Sequence, residues 1–340
     1  MNIVQSNNSF RFYSDAVKVH NTLPPATYTI NFDPMSGFSL EKSSNIGVQE
    51  KAYGSIDSRV NKVFKQYESS GRSLGVMMTG PKGMGKSMLL RSIAQRGVEL
   101  GYATVIVDRF YDGLAGFLDS LGEVILVFDE FEKVFDEQEQ SVLLPMFDGL
   151  SMQKRMCIVT VNETNHLSQY LINRPGRFHY NFTFTYPSES EIREFLTDHA
   201  VDADNINRVV AYSVFREINY DHLRAIANEL VTFDVSFDDA FADLNIGSGP
   251  VKMLVDGTVG GIEFNSTGYV NPSDIENEIN LRGSDGTHTT WYELGIDLSS
   301  ARIVGSSVIV NRTSVNGGMW TDDEIRLSKP SVDASIRNAF

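Results

Sequence analysis

The chain has 340 residues, 41 % of them hydrophobic, and a formal net charge of −15. That apolar content suffices for a buried core and excludes an intrinsically disordered chain, and the length suggests two or three domains. The acidic balance favours solubility and works against a general nucleic-acid coat, whose grip depends on Lys and Arg displacing counterions.

Residues 1–50 read as an N-terminal arm or hairpin. Pro24-Pro25 breaks any helix, Thr27-Tyr28-Thr29-Ile30-Asn31-Phe32 alternates like a strand, and Asp33-Pro34-Met35-Ser36-Gly37 is a turn leading to a second strand at Phe38-Ser39-Leu40. From Ile56 the period becomes helical, with Val60, Val63, Phe64 and Tyr67 on one face. Strands and helices then alternate: strands at 74–78, 103–107, 124–128, 157–161 and 180–186, and helices after Ser87, at 114–121 and within 138–150. This alternation over residues 51–187 predicts an α/β subdomain with a parallel sheet and helices on both faces. Residues 188–246 carry only helical patterns and predict a helical lid subdomain, opened by the capping-box residues Ser188 and Glu191. Residues 247–340 are rich in Gly, Ser, Thr, Val and Ile, with turns at Asp256-Gly257, Gly260-Gly261, Ser284-Asp285-Gly286 and Asn316-Gly317-Gly318, and predict a small β-rich C-terminal domain. Its aromatics Trp291, Tyr292 and Trp320 read either as a binding face or, as aromatics in a β domain more often do, as core residues.

Cys157 is the only cysteine and lies in an apolar run, so it predicts a packed thiol in a reducing compartment. The first eight residues lack the basic start and apolar core of a secretory signal, and no run reaches the ~20 apolar residues of a membrane span. The expected location is the cytoplasm, bacterial or of an infected host.

Gly80-Pro81-Lys82-Gly83-Met84-Gly85-Lys86-Ser87 has the spacing of a phosphate-binding loop. Its glycines let backbone N–H groups approach phosphate oxygens, and the following helix presents its free donors to the same anion. A Gly-rich surface turn would give the same letters, but here a strand precedes and a helix follows. Lys86 is expected to reach the β- and γ-phosphates of ATP, and Ser87 to give its hydroxyl to Mg2+. The apolar strand Val124–Phe128 ends in Asp129 and Glu130. Asp129 is expected to hold Mg2+ through water, and Glu130 to polarise the attacking water. The neighbouring acids Glu132 and Asp136 read as solvated, with Lys133 balancing their charge. The scattered histidines His166, His179 and His222 lack metal-ligand spacing.

The phosphate loop, the Asp129-Glu130 pair, and the segment from Thr160-Val161-Asn162 to Asn173-Arg174-Pro175-Gly176-Arg177-Phe178 resemble an AAA+ ATPase. The Arg-Pro-Gly-Arg-Phe run is similar to the AAA-type branch with the second region of homology, and the resemblance covers about residues 50–245. It implies that Asn162 is the sensor-1 residue and that Arg174 and Arg177 are arginine fingers reaching a neighbouring subunit's nucleotide. By composition alone two arginines in a Pro-Gly turn read as surface residues. The spacing from Asn162 to Arg174 is one residue longer than in typical members, which bears on the register of the fingers.

The resemblance further implies a homo-oligomeric ring, expected as a hexamer. Arg224 stands where a sensor-2 arginine is sought, although a solvated helix arginine reads equally well. Phe110 and Tyr111, beside Gly113, are candidates for a pore loop that grips peptide, against ordinary packing. Adenine is expected near Ile56–Val60. A protein-remodelling motor is the leading reading of function. A nucleic-acid motor or loader, such as a helicase loader or transposition-type ATPase, is the alternative. The layout is also similar to AAA+ ATPases of bacteriophages.

Overall fold

The computed structural model describes residues 2–6, 9–13, 17–43, 50–147, 154–163, 167, 178–233, 235–244, 246, 249–272, 274–304 and 307–330. The chain divides into two compact units, Met1–Thr185 and Tyr186–Phe340.

The first unit opens with an antiparallel pair, β1 (Asn2–Ser6) and β2 (Ser9–Tyr13). Next come β3 (Thr27–Asp33), β4 (Gly37–Lys42), α1 (Ile56–Ser69), β5 (Leu74–Thr79), α2 (Lys86–Glu99), β6 (Ala103–Ile106), α3 (Leu114–Ser120), β7 (Val124–Phe128), α4 (Phe131–Val134), α5 (Glu137–Phe147), β8 (Met156–Val161) and β9 (Tyr180–Thr183). Seven of these strands form one sheet in the order β4-β3-β6-β7-β8-β5-β9. Every pairing in it is parallel except β3 with β4.

Strands β5, β7 and β8 are buried along their whole length, as expected of parallel strands covered on both faces. Their alternate residues serve opposite layers. Met77, Leu126, Phe128, Cys157 and Val159 belong to a core with Leu114 and Leu118 of α3, Phe131 of α4 and Leu143, Met146 and Phe147 of α5. On the other face α2 comes so close that a Cβ at Gly97 would collide with Ile125. Helix α1 packs beside α2 and buries Ile56, Val60, Val63, Phe64 and Tyr67, the stripe its spacing predicts. Burying such side chains stabilises by roughly 1.5–3 kcal/mol each. Cys157 is buried in this core, and burial pushes its thiol pKa up to about 12.

Residues 27–42 differ from the expectation of an arm standing ahead of the main domain. β3 pairs in parallel with β6, in the register Thr27↔Thr104 to Thr29↔Ile106, so the hairpin extends the central sheet. Ala26, Tyr28 and Ile30 are buried in its core. The alternation of that strand is visible in sequence; its partner lies too far along the chain to be read from local pattern.

The second unit contains α6 (Glu189–Asp198), α7 (Ala203–Phe215), α8 (Tyr220–Thr232) and α9 (Phe237–Asp243). The Ser188 capping box forms: Ser188 Oγ accepts from the Glu191 N–H at 3.4 Å, and the Ser188 N–H donates to Glu191 Oε2 at 2.8 Å. The chain continues as β10 (Val251–Val259), β11 (Ile262–Val270), β12 (Glu276–Ser284), β13 (Thr289–Asp297), β14 (Arg302–Val304), β15 (Ser307–Val310), β16 (Thr313–Val315) and β17 (Ile325–Ser328). These eight strands pair antiparallel in the order β14-β15-β17-β10-β11-β12-β13-β16. Strict alternation of buried and exposed residues along β12 marks one face packed and one solvated. The packed face joins Met253, Phe264, Leu281, Leu294 and Leu327 to Phe215 at the end of α7, so helices and sheet share one core. Trp291 is 63 % exposed, so it is not one of the core aromatics. It alternates to the outer face opposite Arg282, whose guanidinium lies 5.5 Å from its ring centre. Among the described residues no helix is long and apolar enough to cross a membrane.

Candidate active site

β5 delivers the phosphate-loop sequence at its carboxyl end. Gly80 has φ 140°, and a Cβ there would collide with the carbonyl oxygen of Phe184. Only glycine fits both the conformation and the space. Gly85, at φ 93°, turns the chain into α2, whose N-terminus receives no side-chain cap. The first-turn N–H groups therefore lack intrahelical acceptors, and the helix dipole adds partial positive charge at the same point. That combination is an anion-binding end.

Lys86 is 6 % exposed and curls back on its own loop. Its Nζ donates to the carbonyls of Gly80 at 2.6 Å and Pro81 at 2.7 Å. Burial lowers its pKa, while the carboxylates of Glu132, Asp129 and Glu130 act in the opposite sense. The ammonium thus sits in a pocket of negative charge. Ser87, the next residue, is exposed at the start of α2, as are Pro81 and Lys82 in the loop; Met84 is buried and anchors it.

β7 places Asp129 and Glu130 two strands from β5, across β8. Thr160, near the end of β8 and 1 % exposed, ties the pair together. Its hydroxyl donates to Asp129 Oδ1 at 2.5 Å and accepts the Glu130 N–H at 2.8 Å. Glu130 adopts a left-handed conformation, φ 48° and ψ 48°, before α4. A non-glycine residue in that region is uncommon and bears strain. The turn sends the Glu130 side chain toward Asn162: Glu130 Oε1 accepts from Asn162 Nδ2 at 3.0 Å and from Lys133 Nζ at 2.8 Å. The Lys133 hydrogen bond is the main cause that lowers the Glu130 pKa, and Asn162 lowers it further against partial burial.

Glu132 corrects the expectation of a solvated acid. It is half-buried; its Oε1 accepts the Asn162 N–H at 2.9 Å, and its Oε2 is buried with no hydrogen-bond partner. The one-turn helix α4 folds Glu132 back over the end of β8 instead of into solvent. Asp136 is exposed, as expected, and accepts the N–H groups of Gln138 and Glu139 at 2.9 Å each at the start of α5.

The structure thus gathers residues from three stretches of chain: the loop 80–87, Asp129 to Lys133, and Thr160 with Asn162. Sequence reasoning missed Thr160, Glu132 and Lys133 as parts of this cluster. A buried threonine two residues before Asn162 was the available signal for the first. Arg174 and Arg177 lie outside the described residues. Arg224 sits on α8, half-exposed, 3.8 Å from Asp221. Ile56, where adenine was expected, is buried in the first turn of α1. Tyr111 packs its ring 5.2 Å from Phe32 and 6.2 Å from Phe38, and Phe110 packs against the core of the first unit.

Residues 76–186 match the family described as ATPase family associated with various cellular activities (AAA). These residues form an AAA domain. The match runs from β5, ahead of the phosphate loop, through Asn162 and past β9, so the whole cluster falls inside it. No curated protein matches the chain at a significant level. An AAA domain is a P-loop ATPase module that binds nucleotide, usually with Mg2+, and the residues present fit that ligand. The α2 N-terminus is uncapped, the Gly80 turn admits no side chain, and Asp129 ends its strand with an exposed carboxylate.

Proposed function

We propose that the AAA domain hydrolyses ATP, and that the chain works as a ring-forming motor on a protein substrate. The observation that carries the hydrolytic reading is the arrangement of Glu130. Its carboxylate is bonded to Asn162, and its backbone is fixed by Thr160, the residue that also fixes Asp129.

In this reading the backbone of Gly80, Pro81, Lys82, Gly83, Met84 and Gly85 wraps the phosphates, and Lys86 exchanges its loop carbonyls for phosphate oxygens. Ser87 and Asp129 would hold Mg2+, which when bound neutralises charge on the phosphates. Glu130 takes a proton from the attacking water. Its lowered pKa keeps it ionised at neutral pH, the form a base needs. Asn162 holds that carboxylate in place and orients the water. Arg174 and Arg177 act on a neighbour's nucleotide, which makes hydrolysis depend on assembly, as a guanidinium supplied in trans does. The ring, expected as a hexamer, rests on the Arg-Pro-Gly-Arg-Phe run. The protein substrate rests on that run and on the net charge of −15, which opposes a phosphate-backbone partner.

The test is the steady-state ATPase rate of the purified chain, alone, with single- or double-stranded DNA, and with an unfolded polypeptide. We expect turnover that Glu130→Gln reduces at least about 100-fold with ATP still bound, as loss of a general base does. Stimulation should come from polypeptide. Stimulation by DNA alone would overturn the protein-substrate reading, and undiminished turnover in Glu130→Gln would overturn the assignment of the base.

A further inference from the structure

The two hydrogen bonds on Asn162 come from opposite ends of the residue. Glu130 accepts from its side-chain amide, and Glu132 accepts from its backbone N–H. Asn162 directly follows the last residue of β8, where the strand's hydrogen-bond ladder ends and the chain leaves the sheet. Nothing in the ladder fixes the amide at that point. The Glu132 carboxylate replaces the missing strand neighbour. It is carried by α4, the same short helix that Glu130 begins, so one rigid turn grips Asn162 at two atoms.

We propose that Glu132 is a positioning residue for ATP hydrolysis: its Oε1, bonded to the Asn162 N–H, sets the distance and angle at which the Asn162 amide meets Glu130. The proposal rests on the hydrolytic reading above and names a residue that reading does not use. Its geometry is specific. A half-buried carboxylate with one oxygen spent on a backbone N–H and the other buried without a partner is costly to hold, because that oxygen has given up its water and gained no hydrogen bond in exchange. A surface acid at this position, as the sequence suggests, would face water with both oxygens. The fold instead keeps the charge inside, beside the buried Lys86 ammonium, whose field compensates it in part. A glutamate held there only for stability would show its removal in the thermal midpoint alone, whereas one that aims Asn162 would show it in turnover.

The effect should appear in turnover rather than in nucleotide binding, because the loop 80–87 makes none of the contacts in question. A misplacement approaching 1 Å among reacting groups can cost about 100-fold. Loss of one supporting hydrogen bond should therefore lower kcat by roughly 10–100-fold. Glutamine keeps an oxygen acceptor in the same place and should restore most of it.

The test uses the full-length chain, with kcat and KM for ATP measured for the unchanged protein, Glu132→Ala, Glu132→Gln, Asn162→Ala and the Glu132→Ala/Asn162→Ala double variant. We expect Glu132→Ala to lower kcat at least tenfold with KM changed less than threefold, and Glu132→Gln to stay within about threefold of the unchanged protein. In the double variant the loss should not exceed that of Asn162→Ala alone, since Glu132 acts through Asn162. Losses that multiply would overturn the proposal and mean that Glu132 touches nucleotide or metal directly. A Glu132→Ala variant with unaltered kcat would overturn it as well, as would one whose only change is a lower thermal midpoint. An unchanged protein that binds ATP but never turns it over would sink the hydrolytic reading itself, and this proposal with it; the variants then need no comparison.

Discussion

Replacing Thr160 by valine keeps the volume of a side chain that is 1 % exposed and removes only its hydroxyl. Two hydrogen bonds vanish, the 2.5 Å bond donated to Asp129 and the 2.8 Å bond accepted from the Glu130 N–H. The first goes to a carboxylate, a class worth about 1.5–3 kcal/mol net. The second leaves a backbone donor without its acceptor. Asp129 is exposed and can take water in exchange, so the net loss of stability should be near the lower end, about 2–3 kcal/mol. For a unit of this size that lowers the thermal midpoint by several degrees, at roughly 2–4 °C per kcal/mol.

The kinetic loss should be larger in proportion. Freed of Thr160, the strained left-handed backbone at Glu130 loses its own hydrogen bond to β8 and is held there only through Asn162, so both carboxylates shift from their set positions. We expect kcat to fall about 10–100-fold with the KM for ATP nearly constant, measured by a coupled ATPase assay beside a thermal unfolding curve. Thr160→Ser, which restores the hydroxyl, should recover most of the rate. A Thr160→Val protein with normal kcat would refute the claim that this hydroxyl sets the acidic pair, whatever its thermal midpoint.

Two further outcomes follow from the same geometry. Lys133→Met removes the main cause of the lowered Glu130 pKa, so that pKa should rise toward the ordinary carboxylate value. Because the base works only when ionised, the acidic limb of the kcat–pH profile should move to higher pH; an unmoved limb would mean that Glu130 does not set it. Tyr111→Ala should lower thermal stability by about 1–3 kcal/mol through lost packing on Phe32 and Phe38, without selective loss of polypeptide-stimulated turnover. A variant of normal stability in which only that stimulation disappears would return Tyr111 to the list of gripping residues.

Much of the first unit is legible in sequence because its signals are local. The apolar runs of β5, β7 and β8, the glycines of the loop after β5, and the two acids after β7 each carry their meaning within a few residues. The helical stripe of α1 is equally plain. What sequence does not carry is partnership at long range. Thr160 meets Asp129 and Glu130 only because β8 lies beside β7 in the sheet. Glu132 looks like one more surface acid in an acidic stretch, and only the tight turn at Glu130 brings it under Asn162. Phe110 and Tyr111 suggested a gripping loop because aromatics near glycine do so in isolation. The rings that cover Tyr111, Phe32 and Phe38, come from a hairpin that precedes the phosphate loop. In the second unit the turns that separate β10 from β11 and β12 from β13 are readable. The burial of Phe215 from a helix in the core of the sheet is not, because helix and sheet each look self-sufficient along the chain.

The hairpin of β3 and β4 also imposes an order on folding during synthesis. Its two strands can pair with each other as soon as they leave the ribosome, since a short turn joins them. Its other edge has no partner until Ala103–Ile106 has been made, and that strand in turn needs Val124–Phe128 beside it. For that interval the nascent chain carries a strand edge with Tyr28 and Ile30 uncovered, the kind of edge that attracts other chains. The carboxylate and ammonium at Glu41 and Lys42, on the far strand, leave the opposite edge less inviting. A chain shortened to begin after the hairpin would meet the converse difficulty, with β6 left as the bare border of the AAA sheet. The hairpin is therefore translated first and secured only after the phosphate loop and its helix have been made.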